Sequence, residues 1–181
     1  MKRQLVAGLA LLAATGCSSL QNANQANPAP CPNVFALNDA SKMVEFAGDP
    51  ALDNVAWSAE IVDVRSSCRY FEEEPIKALV EIDFAVGRGP AATSDVKDIN
   101  YFVAVTRTNR ALITKEEFAV PVRIRDNIAT ATFTEELSDI LIARKGANTS
   151  GTNFEIAVGF VLTREQLLYN RSGKSLKFNN L

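Results

Sequence analysis

The feature that most restricts this chain is an alternation of apolar and polar side chains with a period of two, repeated along most of the sequence beyond residue 50. Successive side chains of a strand point to opposite faces, so this pattern marks strands with one buried face. The clearest run sends Ala78, Val80, Ile82, Phe84 and Val86 inward, and Lys77, Glu81 and Asp83 outward. A second places Phe118, Val120, Val122 and Ile124 inward against Lys115, Glu117, Arg123 and Arg125. A third aligns Phe154, Ile156, Val158, Phe160 and Leu162 on one face. Between Trp57 and Arg65 the phase changes at Ile61 and Val62, for which a β-bulge is the simplest cause. Ile99 to Thr106 is apolar on both faces, as a central strand covered on each side would be. Ile128 to Thr134 is a short, Thr-rich candidate, and Asn33 to Leu37 is a possible seventh strand.

The connections carry turn chemistry. Gly87-Arg88-Gly89-Pro90, Thr108-Asn109-Arg110 and Arg125-Asp126-Asn127 separate strands, and the last two read as tight hairpins. Pro121 faces outward with Arg123; it cannot donate to a ladder, which assigns Lys115 to Arg125 to a sheet edge or a bulge. Helical spacing is confined to the margins. Thr134-Glu135-Glu136-Leu137 leads into Ile140 and Leu141 as a turn or two of helix, and Thr163 with Gln166 forms a capping box before Leu167, Leu168 and Tyr169. The fold class expected is all-β, an antiparallel immunoglobulin-like β-sandwich of about six or seven strands with a short C-terminal helix.

Residues 1–16 differ from the rest. Lys2 and Arg3 precede an apolar run from Leu5 to Ala14 that ends at the small residues Thr15 and Gly16. About ten apolar residues are too few for the roughly twenty that span a bilayer, and the arrangement is that of a signal peptide. Ala14-Thr15-Gly16-Cys17 resembles the lipobox of bacterial lipoproteins, with Ala14 and Thr15 in place of the commoner Leu and Ala or Ser. The resemblance implies lipidation at Cys17 and cleavage before it; the alternative is an ordinary secretory signal with an incidental cysteine. Three acyl chains exceed the two signals that stable anchoring needs. Ser18 follows the cysteine instead of Asp, which by the sorting logic of enteric lipoproteins favours the outer membrane. The stretch to Pro30 is rich in Asn, Gln, Ala, Ser and Pro and reads as a disordered tether. The expected organisation is therefore a signal peptide at 1–16, a lipidated Cys17 and tether at 17–30, a sandwich domain at 31–171 and a flexible tail at 172–181. A lipid-anchored protein on the periplasmic face of the outer membrane is the expected location.

Of three cysteines, Cys31 and Cys68 remain once Cys17 is assigned to lipid. In an oxidising compartment two such residues read as one disulfide. The chain contains no histidine, which removes the commonest general base, the commonest metal ligand and the usual partner of a Ser or Cys nucleophile. Most familiar hydrolase and zinc chemistries are excluded on that ground. A net charge of -2, made more negative by loss of Lys2 and Arg3, argues against nucleic acid as a partner. Ser94-Asp95-Val96-Lys97 fits the S-x-x-K pattern of penicillin-recognising enzymes but lies in a polar loop, without the S-D-N or K-T-G companions. Glu72-Glu73-Glu74 before Pro75 reads as a solvated turn, and Trp57 as a core anchor. No catalytic residue, cofactor or metal site is expected.

Cys31-Pro32-Asn33-Val34, Leu37, Asp39-Ala40 and Phe46 resemble the opening of a group of small alphaproteobacterial outer-membrane lipoproteins. The likeness extends through Ser67-Cys68, Tyr101 to Val105, Leu162-Thr163 and Leu168 to Arg171. Members of that sort include an accessory lipoprotein of the β-barrel assembly machinery. The resemblance implies a non-enzymatic subunit that docks on an envelope protein. The expected function is an interaction or scaffold module of the cell envelope, using the strand that bears Pro121 or the extended segment near Val34. The alternative is a module for peptidoglycan or another envelope glycan, built on aromatic side chains such as Tyr70 and Tyr101.

Overall fold

A computed structural model describes residues 30–125 and 128–174. Eight strands and one helix follow in chain order. They are β1 Asn33–Ala36, β2 Lys42–Phe46, β3 Val55–Arg69, β4 Ile76–Arg88, β5 Val96–Arg107, β6 Leu112–Arg123, β7 Thr130–Ile142, β8 Phe154–Phe160 and α1 Arg164–Arg171. The strands form two four-stranded sheets, one in the order β1-β8-β5-β6 and the other β2-β3-β4-β7. Neighbours run antiparallel except β1 and β8, which pair in parallel from Asn33 opposite Glu155 to Ala36 opposite Val158. The expected all-β sandwich is what the chain adopts. The signal peptide, Cys17, the tether before Pro30 and the tail from 175 lie outside the described residues.

The inward residues read from the alternation are the core. Ala78, Val80, Ile82, Phe84 and Val86 of β4 are buried, as are Phe154, Ile156, Val158 and Phe160 of β8. Facing sheets meet ring against ring: Phe84 lies 5.1 Å from Tyr101 and 5.8 Å from Phe160 between centroids. Trp57 is 3% exposed and belongs to the same core. The phase change in β3 is a bulge, since the β3–β4 register shifts between Ile61 and Asp63. β5 lies inside its sheet, between β8 and β6, with Ala104 buried on the face opposite Tyr101 and Val103. A Cβ on Gly159 would come within 2.9 Å of both Ala40 Cβ and the Phe102 ring, so glycine lets the Asn38–Ala40 turn lie flat on this outer face.

Three expectations are corrected. β2 makes an eighth strand: Met43 and Val44 are both buried, so it shows no alternation to read. The stretch from Thr134 to Leu141 is the second half of β7 and not a helical turn. A bulge shifts the register between β4 and β7, with Ala78 opposite Ile140 but Val80 opposite Leu137. Inserting a residue there spaces the inward Leu137 and Ile140 three apart, which imitates a helix. Finally, Arg125-Asp126-Asn127 does not close a hairpin, because β6 and β7 belong to different sheets; Asp126 and Asn127 themselves lie outside the described residues. Thr108-Asn109-Arg110 does close one, with Arg110 at φ 66 and Arg107 N–H donating to Ala111 O at 2.9 Å.

α1 forms where the capping box places it. Thr163 Oγ1 accepts from Gln166 N–H at 3.2 Å, and Gln166 Oε1 accepts from Thr163 N–H at 2.9 Å. The helix then covers the free side of β2. Gln166 Nε2 donates to Val44 O at 3.0 Å, and Asn170 Nδ2 donates to Lys42 O at 2.7 Å. Tyr169 packs edge-on to Phe46 at 5.3 Å. An edge strand otherwise offers unpaired backbone groups to any passing chain, and α1 occupies the Lys42 and Val44 carbonyls of β2.

Candidate docking cleft

A sandwich of two open sheets has four edges, and here they are treated differently. β1 is only four residues long, and β2 is covered by α1. β6 and β7, of 12 and 13 residues, are the outer strands on the other side. Both are interrupted: β6 by Pro121, exposed and without an N–H, and by a register shift at Ile113, and β7 by the Ser138–Asp139 bulge with Asp139 at φ 61. The expectation that Pro121 sits in an edge strand holds. The segment near Val34 is also an edge strand, though a short one.

Between β6 and β7 the two sheets part. A cleft of about 520 Å³ opens there, lined by Val105, Ile113, Phe118, Leu137, Ile140 and Leu141 among others. Of its lining, Ile113 is 44% exposed and Leu141 60%, and Leu112, 63% exposed, precedes Ile113 in β6. Isolated exposed leucines are ordinary on a protein surface, but several bordering one apolar hollow mark an interaction site. A second hollow of about 500 Å³ lies between α1 and β2, where the helix already satisfies the strand's carbonyls.

The inner wall of the open side contains an unusual polar group. Tyr101 is 1% exposed and its ring stacks on Phe118 at 5.2 Å, yet among the described residues its hydroxyl has no hydrogen-bond partner. Loss of water and, second, the negative charge of Glu135 push this phenol up to about 12. A neutral phenol held above its ordinary value of 10 favours the fold fully only below pH 10, and that contribution is lost as the pH rises from 10 towards 12. A spectrophotometric titration of Tyr101 against Tyr101→Phe is expected to show one late phenol, with stability falling over the same range. Because a buried hydroxyl without a partner costs about 1–3 kcal/mol, Tyr101→Phe is expected to raise stability at neutral pH, by about 1 kcal/mol in denaturant unfolding. A loss of stability in that variant would show that the hydroxyl is satisfied.

The cysteines left after Cys17 are brought together: Cys31 and Cys68 form a disulfide with Cα atoms 5.6 Å apart. Next to it, Tyr70 Oη donates to Pro30 O at 3.1 Å and accepts from Gly151 N–H at 3.2 Å. Arg144 lies over the Tyr70 ring at 4.6 Å and donates to Glu74 O, Ala147 O and Thr149 O. This end of the sandwich is where the chain enters from residue 30, and the Leu112 and Leu141 ends of β6 and β7 lie at the same end.

Tyr70 and Tyr101 are each 1% exposed, so neither ring offers a stacking surface to a sugar; the apolar run on both faces of Ile99 to Thr106 was the available signal for Tyr101. Glu72, Glu73 and Glu74 occupy the exposed β3–β4 turn, as expected. Ser94 ends a loop, its Oγ accepting from Val96 N–H at 3.0 Å, while Lys97 pairs with Glu45. Sequence reading missed Glu135 as a residue of interest. It stands at the inward phase of Ala131, Phe133 and Leu137, where a charge is the signal that could have found it. Among the described residues no group of three or more Cys, Asp or Glu side chains is placed to hold a metal ion, and no helix is long and apolar enough to cross a membrane. No protein-family model matches the chain, nor does any curated protein or solved structure.

Proposed function

We propose that this chain is a lipid-anchored interaction module of the bacterial cell envelope, held at Cys17 in the outer membrane and facing the periplasm. On this reading it docks an envelope protein, as an accessory subunit of outer-membrane protein assembly does. The observation that carries the proposal is the cleft between two long uncovered edge strands, on a domain whose other edges are short or covered. An exposed edge takes an added strand through main-chain hydrogen bonds, and neighbouring apolar hollows select its side chains. Anchoring supports such a role because confinement to one membrane raises the effective concentration of both partners, so a weak surface suffices. The lipobox at Ala14 to Cys17 and the resemblance to small outer-membrane lipoproteins point the same way.

Photo-crosslinking residues at Leu112 and Leu141 in intact cells test it, combined with membrane fractionation of a Cys17→Ser variant. The expected result is a discrete envelope-protein adduct from the wild-type chain, and loss of the Cys17→Ser protein from the membrane fraction. Recovery of the protein only as an unbound monomer from every exposed position, or membrane retention without Cys17, would contradict the reading.

A further inference from the structure

The charge around the cleft specifies more than its shape. β7 carries Glu135, Glu136 and Asp139 and has no lysine or arginine over its 13 residues. Glu116 of β6 lines the cleft. None of these four carboxylates forms an ion pair among the described residues, and the twelve residues that line the cleft include Glu116 and Asp139 but no lysine or arginine. The one lysine of β6, Lys115, is engaged on the outer face, pairing with Glu117 at 2.7 Å and lying 4.5 Å from the Phe102 ring. An apolar slot bordered by unmatched carboxylates is complementary to a segment that combines apolar and cationic side chains. The unpartnered Tyr101 hydroxyl, close enough to Glu135 to feel its charge, adds a polar group on the same side that the fold leaves unsatisfied.

We propose that the β6–β7 cleft receives an extended segment of a partner in which apolar residues alternate with lysine or arginine. The inference rests on the docking role proposed above and names the partner's chemistry. Alternation follows from strand geometry: a segment paired on β6 or β7 turns every second side chain towards the cleft and the others towards the rim. Glu116 and Asp139 then meet its cations while Leu137, Ile140 and Leu141 cover its apolar positions.

The test uses the purified mature chain and three ten-residue synthetic peptides, alternating Val with Lys, Ser with Lys, and Val with Glu. The Val/Lys peptide is expected to bind at least tenfold more tightly than either other peptide, with affinity falling as salt is raised. Glu116→Lys, an exposed change that leaves the core intact, is expected to weaken that binding at least tenfold, whereas Asp53→Lys at the far end leaves it unchanged. Amide exchange is expected to slow along β6 and β7 in the bound state. Equal binding of Ser/Lys or Val/Glu, insensitivity to Glu116→Lys, or no binding at all overturns the proposal. So does binding to vesicles of phosphatidylethanolamine and phosphatidylglycerol that Leu141→Glu abolishes, in the absence of peptide binding, which assigns the apolar rim to a lipid surface. In-cell adducts formed only from Leu52 or Leu168, on other faces, remove the cleft and leave the docking role standing.

Discussion

Phe84→Ala is expected to lower the unfolding free energy by about 3–5 kcal/mol, among the largest losses available to a single substitution in this domain. Phe84 is 1% exposed and lies between the sheets. On its own sheet it is opposite Ile61 of β3 and Phe133 of β7, stacking on the latter at 5.1 Å. Across the gap it meets Tyr101 and Phe160 of the other sheet. Truncation therefore removes contacts on both sides of the core and leaves a cavity whose walls are side chains of hydrogen-bonded strands. Such walls relax little, so the cavity persists and its cost adds to the lost burial. Phe133→Ala serves as the comparison. Its ring stacks on the same partner but belongs to an edge strand and is half-buried, so the loss is expected to be clearly smaller. Denaturant unfolding followed by Trp57 fluorescence checks both, with the midpoint moving and the slope unchanged if the fold is retained. Equal losses for the two variants would show that the core is not centred on Phe84.

The strands that build this core were legible because one face of each is buried and the other wet. Alternation reports that asymmetry directly, and even the bulge after Ile61 left its mark as a phase change. Where the asymmetry fails, so does the reading. β2 buries Met43 and Val44 in succession because α1 covers one side of it, and a strand covered from two directions loses its period. In β7 the bulge at Ser138–Asp139 changes a spacing of two into one of three. Both misread segments owe their pattern to tertiary contacts that no local rule contains. The candidate site was legible only in part. Pro121 announced an edge, because a missing N–H is a local property. Which second edge stands across from it depends on the crossing from β6 into the other sheet, and Arg125-Asp126-Asn127 reads like a hairpin turn. A charge at an inward phase either has a partner or waits for one, and Glu135 has no ion-pair partner among the described residues.

Replacing both Cys31 and Cys68 by serine is expected to cost about 4 kcal/mol, the chain-entropy value for a closed loop of this length. The separation of 37 residues spans β1, β2 and nearly all of β3, so the reduced unfolded chain gains freedom over about a quarter of the domain. Its greater exposure should also raise the dependence of unfolding free energy on denaturant, which separates this loss from that of Phe84→Ala. The effect on the native state is local. β1 is four residues long and pairs with β8 alone, and Cys31 fixes the chain two residues before it begins. Tyr70 and Arg144 hold the same corner, and Gly151 admits it: a Cβ there would lie 2.3 Å from Pro30 O. With the disulfide gone, four strand residues and the hydrogen bond from Tyr70 to Pro30 O must restrain the incoming chain by themselves. Amide exchange is then expected to speed up at β1 and Gly151 well before β4, whose amides follow global unfolding. If the double serine variant stays within about 1 kcal/mol of the parent and β1 exchanges no faster, the Tyr70–Arg144 corner holds the segment without the bond. In an anchored protein this corner transmits any pull between membrane and docked partner, so removing the disulfide should release β1 first and leave the β6–β7 cleft intact.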